Sequence, residues 1–134
     1  MPRLRRSRTA TTTSLASWLR CPHCSQPLEA REGLVLGCAE GHRFDSNRRG
    51  YLNVLDASNG IVGDTRPILE ARARFLALGH YEAIADAVAG TLPAGRPLSV
   101  LDSGAGTGYY LQHLLSRSPI AHDSLAVDAS RTLR

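Results

Sequence analysis

Leu98-Ser99-Val100-Leu101-Asp102 runs apolar into a carboxylate, and Ser103-Gly104-Ala105-Gly106-Thr107-Gly108 then sets three glycines at alternate positions before a helical pattern opens at Tyr109-Tyr110. The order reads as strand, tight loop, helix. A short β-rich run feeding a glycine loop is how a doubly wound α/β domain opens its ligand crevice at the carboxyl end of its first strand. Glycine lets backbone and ligand approach where a Cβ would collide.

The spacing narrows the ligand. A dinucleotide fingerprint, G-x-G-x-x-G, needs its third glycine where this chain has Tyr109, one place after Gly108. A nicotinamide-dependent enzyme is therefore disfavoured, and a P-loop is excluded because the chain contains no lysine. What stands is Asp102-x-Gly104-x-Gly106-x-Gly108, which resembles the first motif of S-adenosylmethionine-dependent methyltransferases. Asp128 ends the next apolar run, Leu125-Ala126-Val127, about twenty residues past the loop, where a ribose-binding carboxylate belongs in a βαβ unit. The plainer alternative is a structural glycine turn in another α/β protein.

Upstream, Cys21-Pro22-His23-Cys24 and Cys38-Ala39-Glu40-Gly41-His42 give Cys-x2-Cys followed by Cys-x3-His. Two tight knuckles joined by a short hairpin place Cys21, Cys24, Cys38 and His42 at the corners of a tetrahedron, as a closed structural Zn²⁺ site requires. His23 competes as a ligand; His42 is favoured because it forms a second chelating pair with Cys38. Gly37 and Gly41 suit the knuckle around Cys38 and His42. With four protein donors no corner is left for a catalytic water, so the metal holds structure. So small a module gains from metal the folding free energy its core cannot supply.

At 134 residues and 43% hydrophobic, the chain has apolar matter for one modest core. The net charge of +4 is uneven: residues 1–20 hold five arginines and no acid, and sixteen basic residues less these five leave eleven against twelve acids elsewhere. An Arg/Ser/Thr-rich start reads as a disordered basic arm over residues 1–18, able to touch phosphates but lacking the apolar core of a secretion signal. No run of eighteen apolar residues suggests a membrane span. Three cysteines, two at metal spacing, suit a reducing cytoplasm.

After the zinc module, Arg43, Arg48 and Arg49 offer charge to a polyanion or simply form a solvated rim. Asp64 or Thr65 can cap a helix with Pro67 in its first turn, in which Ile68, Leu69, Phe75, Leu76 and Leu78 recur near a 3.6 period with Arg72 and Arg74 off the apolar face. Gly79 ends it. His80-Tyr81 opens another helix, and a further one is expected from Gly106 to Ser116.

Taken in order, Cys-x2-Cys, Cys-x3-His-Arg-Phe-Asp, Arg-Gly-Tyr-Leu-Asn, Gly-Asp-Thr, Ala-Arg-Ala-Arg-Phe-Leu, Gly-His-Tyr and Val-Leu-Asp-Ser-Gly-Ala-Gly-Thr-Gly-Tyr-Tyr resemble the 23S rRNA (guanine-N1)-methyltransferases, a family that includes enzymes of tylosin and macrolide resistance. The resemblance runs from Leu19 to Asp128. It implies an α/β chain in which a small zinc-binding, rRNA-recognition domain (19–56) is followed by a helical linker region (57–94) and the first part of a Rossmann-like class I methyltransferase domain (95–134). It implies S-adenosyl-L-methionine and Zn²⁺ as cofactors, 23S rRNA as partner, no membrane, a cytoplasmic setting, and a homodimer as a conceivable assembly. Tyr81 matches a family tyrosine at the cofactor; Gly106 and Thr107 match loop positions contacting it, with Gly104 and Asp102 beside them. Ala105 and Thr107 depart from the family, where cysteine and glutamate are frequent. Only two strands fit before Arg134, which suggests an incomplete domain, and a non-catalytic zinc-dependent rRNA-binding module is the competing expectation. No catalytic base is assigned, and His80 and His113 are left as packing or surface residues.

Overall fold

The computed structural model describes residues 8–54, 60 and 62–130, which form two compact units divided between Gly60 and Ile61. In the first unit, helix α1 (Arg8–Trp18) precedes three short antiparallel strands, β1 (Glu29–Ala30), β2 (Val35–Gly37) and β3 (Arg43–Asp45), in the order β1-β2-β3. Leu36 pairs with Phe44 across β2 and β3. Both side chains turn inward to a core completed by Cys21, Leu28 and Cys38, and Leu36 is fully buried.

Helix α1 corrects the expected disorder over 8–18; residues 1–7 of that arm lie outside the described residues. Buried Thr12 and the core-packing Leu15, Ala16 and Leu19 recur at helical spacing. This stripe gives the segment a face to bury, so packing overrides its polar composition. A second tight turn follows β3. Asn47 Oδ1 accepts the N–H groups of Arg49 and Tyr51 at 2.9 and 3.1 Å, and Ser46 pairs with Leu52, leaving Arg48 and Arg49 exposed at the tip.

The second unit holds α2 (Arg66–Leu76), α3 (Glu82–Gly90), β4 (Ser99–Ser103), α4 (Tyr109–Arg117) and β5 (Asp123–Val127). Strands β4 and β5 pair in parallel, Leu101 opposite Leu125, with α4 as the crossover. This is the β-α-β unit of a Rossmann-like fold. Helices α2 and α3, expected as a connection, belong to this same unit, and α3 packs on α4. Helix α4 starts at Tyr109, three residues later than Gly106, because Gly106 and Gly108 hold φ of 55° and 73°, outside the helical region. Thr65 stands at the α2 N-cap without a side-chain cap bond, and Asp64 turns to Arg72 instead of capping. Among the described residues no helix is long and apolar enough to cross a membrane.

Candidate metal centre and glycine-loop crevice

Two knuckles build the metal centre. In the first, Ser25 takes a left-handed φ of 59° so that its N–H reaches Cys21 O at 2.8 Å, while Cys21 N–H donates to Gln26 O at 2.9 Å. In the second, Gly41 at φ 86° donates to Cys38 O at 3.2 Å, and Cys38 N–H donates to His42 O at 3.1 Å. Gly37 serves differently: it lies in β2, where a Cβ would stand 3.3 Å from Arg31 Cγ and 3.4 Å from His42 O.

The ligand atoms of Cys21, Cys24, Cys38 and His42 all lie within 4.8 Å of one another. Cys21 Sγ stands 3.6 Å from His42 Nδ1, Cys24 Sγ 3.6 Å from Cys38 Sγ, and Cys38 Sγ 3.3 Å from His42 Nδ1. Zn–S bonds of about 2.3 Å and Zn–N bonds of about 2.0–2.1 Å give a tetrahedron with edges of about 3.5–3.8 Å, so the three thiols and one imidazole fit zinc. They are too far apart for a disulfide, and all three cysteines are free. Burial works against ionising Cys38, yet the side chain and backbone of His42 hold its thiol below the ordinary range. His23 is not in the cluster; its ring stacks on Phe44 with centroids 5.9 Å apart.

In the second unit a glycine loop stands at the carboxyl end of β4, beside the end of β5. Gly104 and Ala105 donate their N–H groups to Val127 O at 2.8 and 3.0 Å, and Gly108 closes the turn by donating to Ala105 O at 2.7 Å. Gly104, Gly106 and Gly108 all have positive φ, a backbone that side-chain-bearing residues rarely adopt. Asp128 ties the loop to the end of β5: Oδ2 accepts Gly106 N–H at 2.8 Å and Oδ1 accepts Ser130 N–H at 2.7 Å. Ser130 foremost, then Gly106 N–H and the Arg72 charge, hold this carboxyl below its ordinary range against the effect of burial. With the Ser130 side chain, the Ser130 N–H and the Gly106 N–H on it, the carboxylate has room for one further donor. Asp102, in β4, is pushed up by burial and then by the Asp128 charge, and Thr107 sits half-buried in the turn before α4.

The structure thus gathers Asp102, Gly104, Gly106, Thr107 and Asp128 at one loop. Tyr81 stands at the α3 N-cap, edge-on to Phe75 at 5.8 Å, and no hydrogen bond among the described residues ties it to the glycine loop. His113 Nε2 pairs with Asp86 Oδ1 at 2.7 Å between α4 and α3, a packing role. His80 lies beside Phe75.

Sequence reasoning missed how the segment before α2 is fastened beside the glycine loop. Asp64 N–H donates to Ser130 Oγ at 3.1 Å, and Arg72 Nη1 donates to Asp64 Oδ2 at 2.6 Å. Gly63 packs so closely that a Cβ would fall 2.5 Å from the Ala129 carbonyl. The Gly-Asp pair before the helix was the available signal; it reads equally well as an ordinary cap.

Residues 19–59 match the family described as RlmA, N-terminal, a zinc ribbon. The chain is 38% identical over 122 residues to a 23S rRNA (guanine(748)-N(1))-methyltransferase of Streptomyces fradiae, which covers 88% of this chain and 43% of that protein. It is 41% identical over 132 residues to a putative 23S rRNA (guanine-N(1)-)-methyltransferase of Micromonospora griseorubida, covering 84% and 44%. A protein of Bacillus subtilis (strain 168) called putative 23S rRNA (guanine-N(1)-)-methyltransferase YxjB is 33% identical over 73% of this chain and 36% of its own length. The chain spans less than half the length of these curated relatives.

Proposed function

We propose, from the zinc ribbon matched at 19–59 and from similarity along most of the chain to 23S rRNA (guanine-N1)-methyltransferases, that this protein belongs with them and supplies the rRNA-docking ribbon and the cofactor loop of an enzyme that methylates N1 of a guanine in 23S rRNA. The observation that carries the reading is the glycine loop pinned to Asp128 in the same chain as a four-donor zinc ribbon.

When bound, S-adenosylmethionine supplies an electrophilic methyl group; the remaining work is positioning. Asp128 would accept a ribose hydroxyl, and the exposed backbone of Gly104 admits the nucleoside at the end of the sheet. Thr107 offers a hydroxyl, and Tyr81 an aromatic edge, in the cofactor roles read for them from the family. Guanine N1 lies on the Watson–Crick edge, so the target must be unpaired or extruded. Cys21, Cys24, Cys38 and His42 hold the ribbon as a rigid body, and exposed Arg43, Arg48 and Arg49 give it charge for the phosphate backbone. The setting is the cytoplasm, and the modification is the route by which the chain would contribute to macrolide resistance.

The test combines calorimetric titration of the chain with S-adenosylhomocysteine, a filter-binding assay with unmodified 23S rRNA, and transfer of labelled methyl analysed by mass spectrometry. Nucleoside binding, RNA binding and label at guanine N1 are expected. RNA binding without nucleoside binding would replace the enzyme reading with that of a binding module, and label at another atom would overturn the reaction.

A further inference from the structure

We infer that Arg72, aimed by Asp64, recognises the α-carboxylate on the amino-acid tail of the nucleoside cofactor; this rests on the reading of the crevice as an S-adenosylmethionine site. The arm that carries it is built to hold still. Gly63 lies so close to Ala129 and Ser130 that no Cβ fits, and the next residue is fastened through Asp64 N–H to Ser130 Oγ at 3.1 Å. With its backbone fixed, the Asp64 carboxylate holds Arg72 Nη1 at 2.6 Å. The same nitrogen lies over the glycine loop: a Cβ on Gly106 would stand 3.5 Å from it.

The charge pattern asks for such a group. The Asp128 charge pushes Asp102 up, so two carboxylates stand near one another at the loop and repel an anionic ligand group. Arg72 is the cation whose charge reaches Asp128. Its side chain is 48% exposed although one nitrogen is committed to Asp64, which leaves other guanidinium donors open to solvent or ligand. Guanidinium forks pair planar carboxylates in a way ammonium groups do not. An α-carboxylate is the anionic group of S-adenosylmethionine, so the ligand and the cation match.

A purely structural arginine, clasping α2 to the loop, would affect every ligand alike. The experiment therefore titrates the full chain, Arg72→Ala and Arg72→Lys with S-adenosylhomocysteine and with 5′-methylthioadenosine, which lacks the amino-acid tail. Arg72→Ala is expected to weaken S-adenosylhomocysteine about tenfold or more while changing methylthioadenosine by less than about twofold, with Arg72→Lys between. Equal loss for both nucleosides, or no loss for either, would overturn the assignment and leave the site reading intact. Failure of the unaltered chain to bind S-adenosylhomocysteine would instead remove the site reading, and this inference with it.

Discussion

The two units solve opposite problems. The ribbon closes on itself within residues 12–54, with Leu36, Cys21 and Cys38 buried and four donors drawn together. The second unit stays open: Leu101 on β4 is 56% exposed, Val127 on β5 41%, and Ile84 on α3 50%. A closed module can serve as a rigid handle for a polyanion, whereas the second unit leaves apolar faces of β4, β5 and α3 uncovered. The lesson is that rigidity comes from metal in one unit and from a hydrogen-bonded loop in the other.

Removing metal should separate the units most sharply. Treatment with a strong chelator, or Cys38→Ser, is expected to collapse the amide resonances of residues 19–54 while those of 62–130 persist. Loss of both sets together, or of neither, would break the comparison. Truncating one leucine in each unit comes next: Leu36→Ala should cost about 2–5 kcal/mol in denaturant melts, and Leu101→Ala less than about 0.5 kcal/mol. Equal costs would mean that the open sheet is as tightly packed as the ribbon.

Gly63→Ala probes the arm and should cost about 1–3 kcal/mol, confined to the second unit, because its Cβ would overlap the Ala129 carbonyl. The smallest effect is titration. His113 foremost, then Arg117, holds Asp86 below the ordinary carboxylate range, and Asp128 is held low too. Their contribution is present above that range and is lost as pH falls through the lowered values, while Asp102, held high, works in the opposite sense. Melting of the second unit between pH 5 and pH 3 should therefore fall less steeply in Asp86→Asn than in the unaltered chain.

Much of this was legible in the residues. Ligand spacing gave Cys21, Cys24, Cys38 and His42 because chelation is local, and alternating glycines after an apolar run gave the β4–α4 loop. The preference for His42 over His23 was legible too, because Cys38 and His42 form a second chelating pair; what the residues did not show is that the His23 ring stacks against Phe44. Helix α1 was hidden by an Arg/Ser/Thr-rich composition although Thr12, Leu15, Ala16 and Leu19 already marked its face. The Asp64–Arg72 arm was illegible for a different reason: its partners Ala129 and Ser130 lie more than sixty residues away in sequence. A cap motif carries no sign of such a contact.

The central claim is that the loop from Asp102 to Gly108, with Asp128, is a nucleoside site. Titrating isotopically labelled chain with S-adenosylhomocysteine and following each amide tests it directly. The account predicts saturable shifts at Gly104, Gly106, Thr107 and Asp128 with the ribbon residues unmoved; saturating nucleoside that leaves those four amides in place would contradict it.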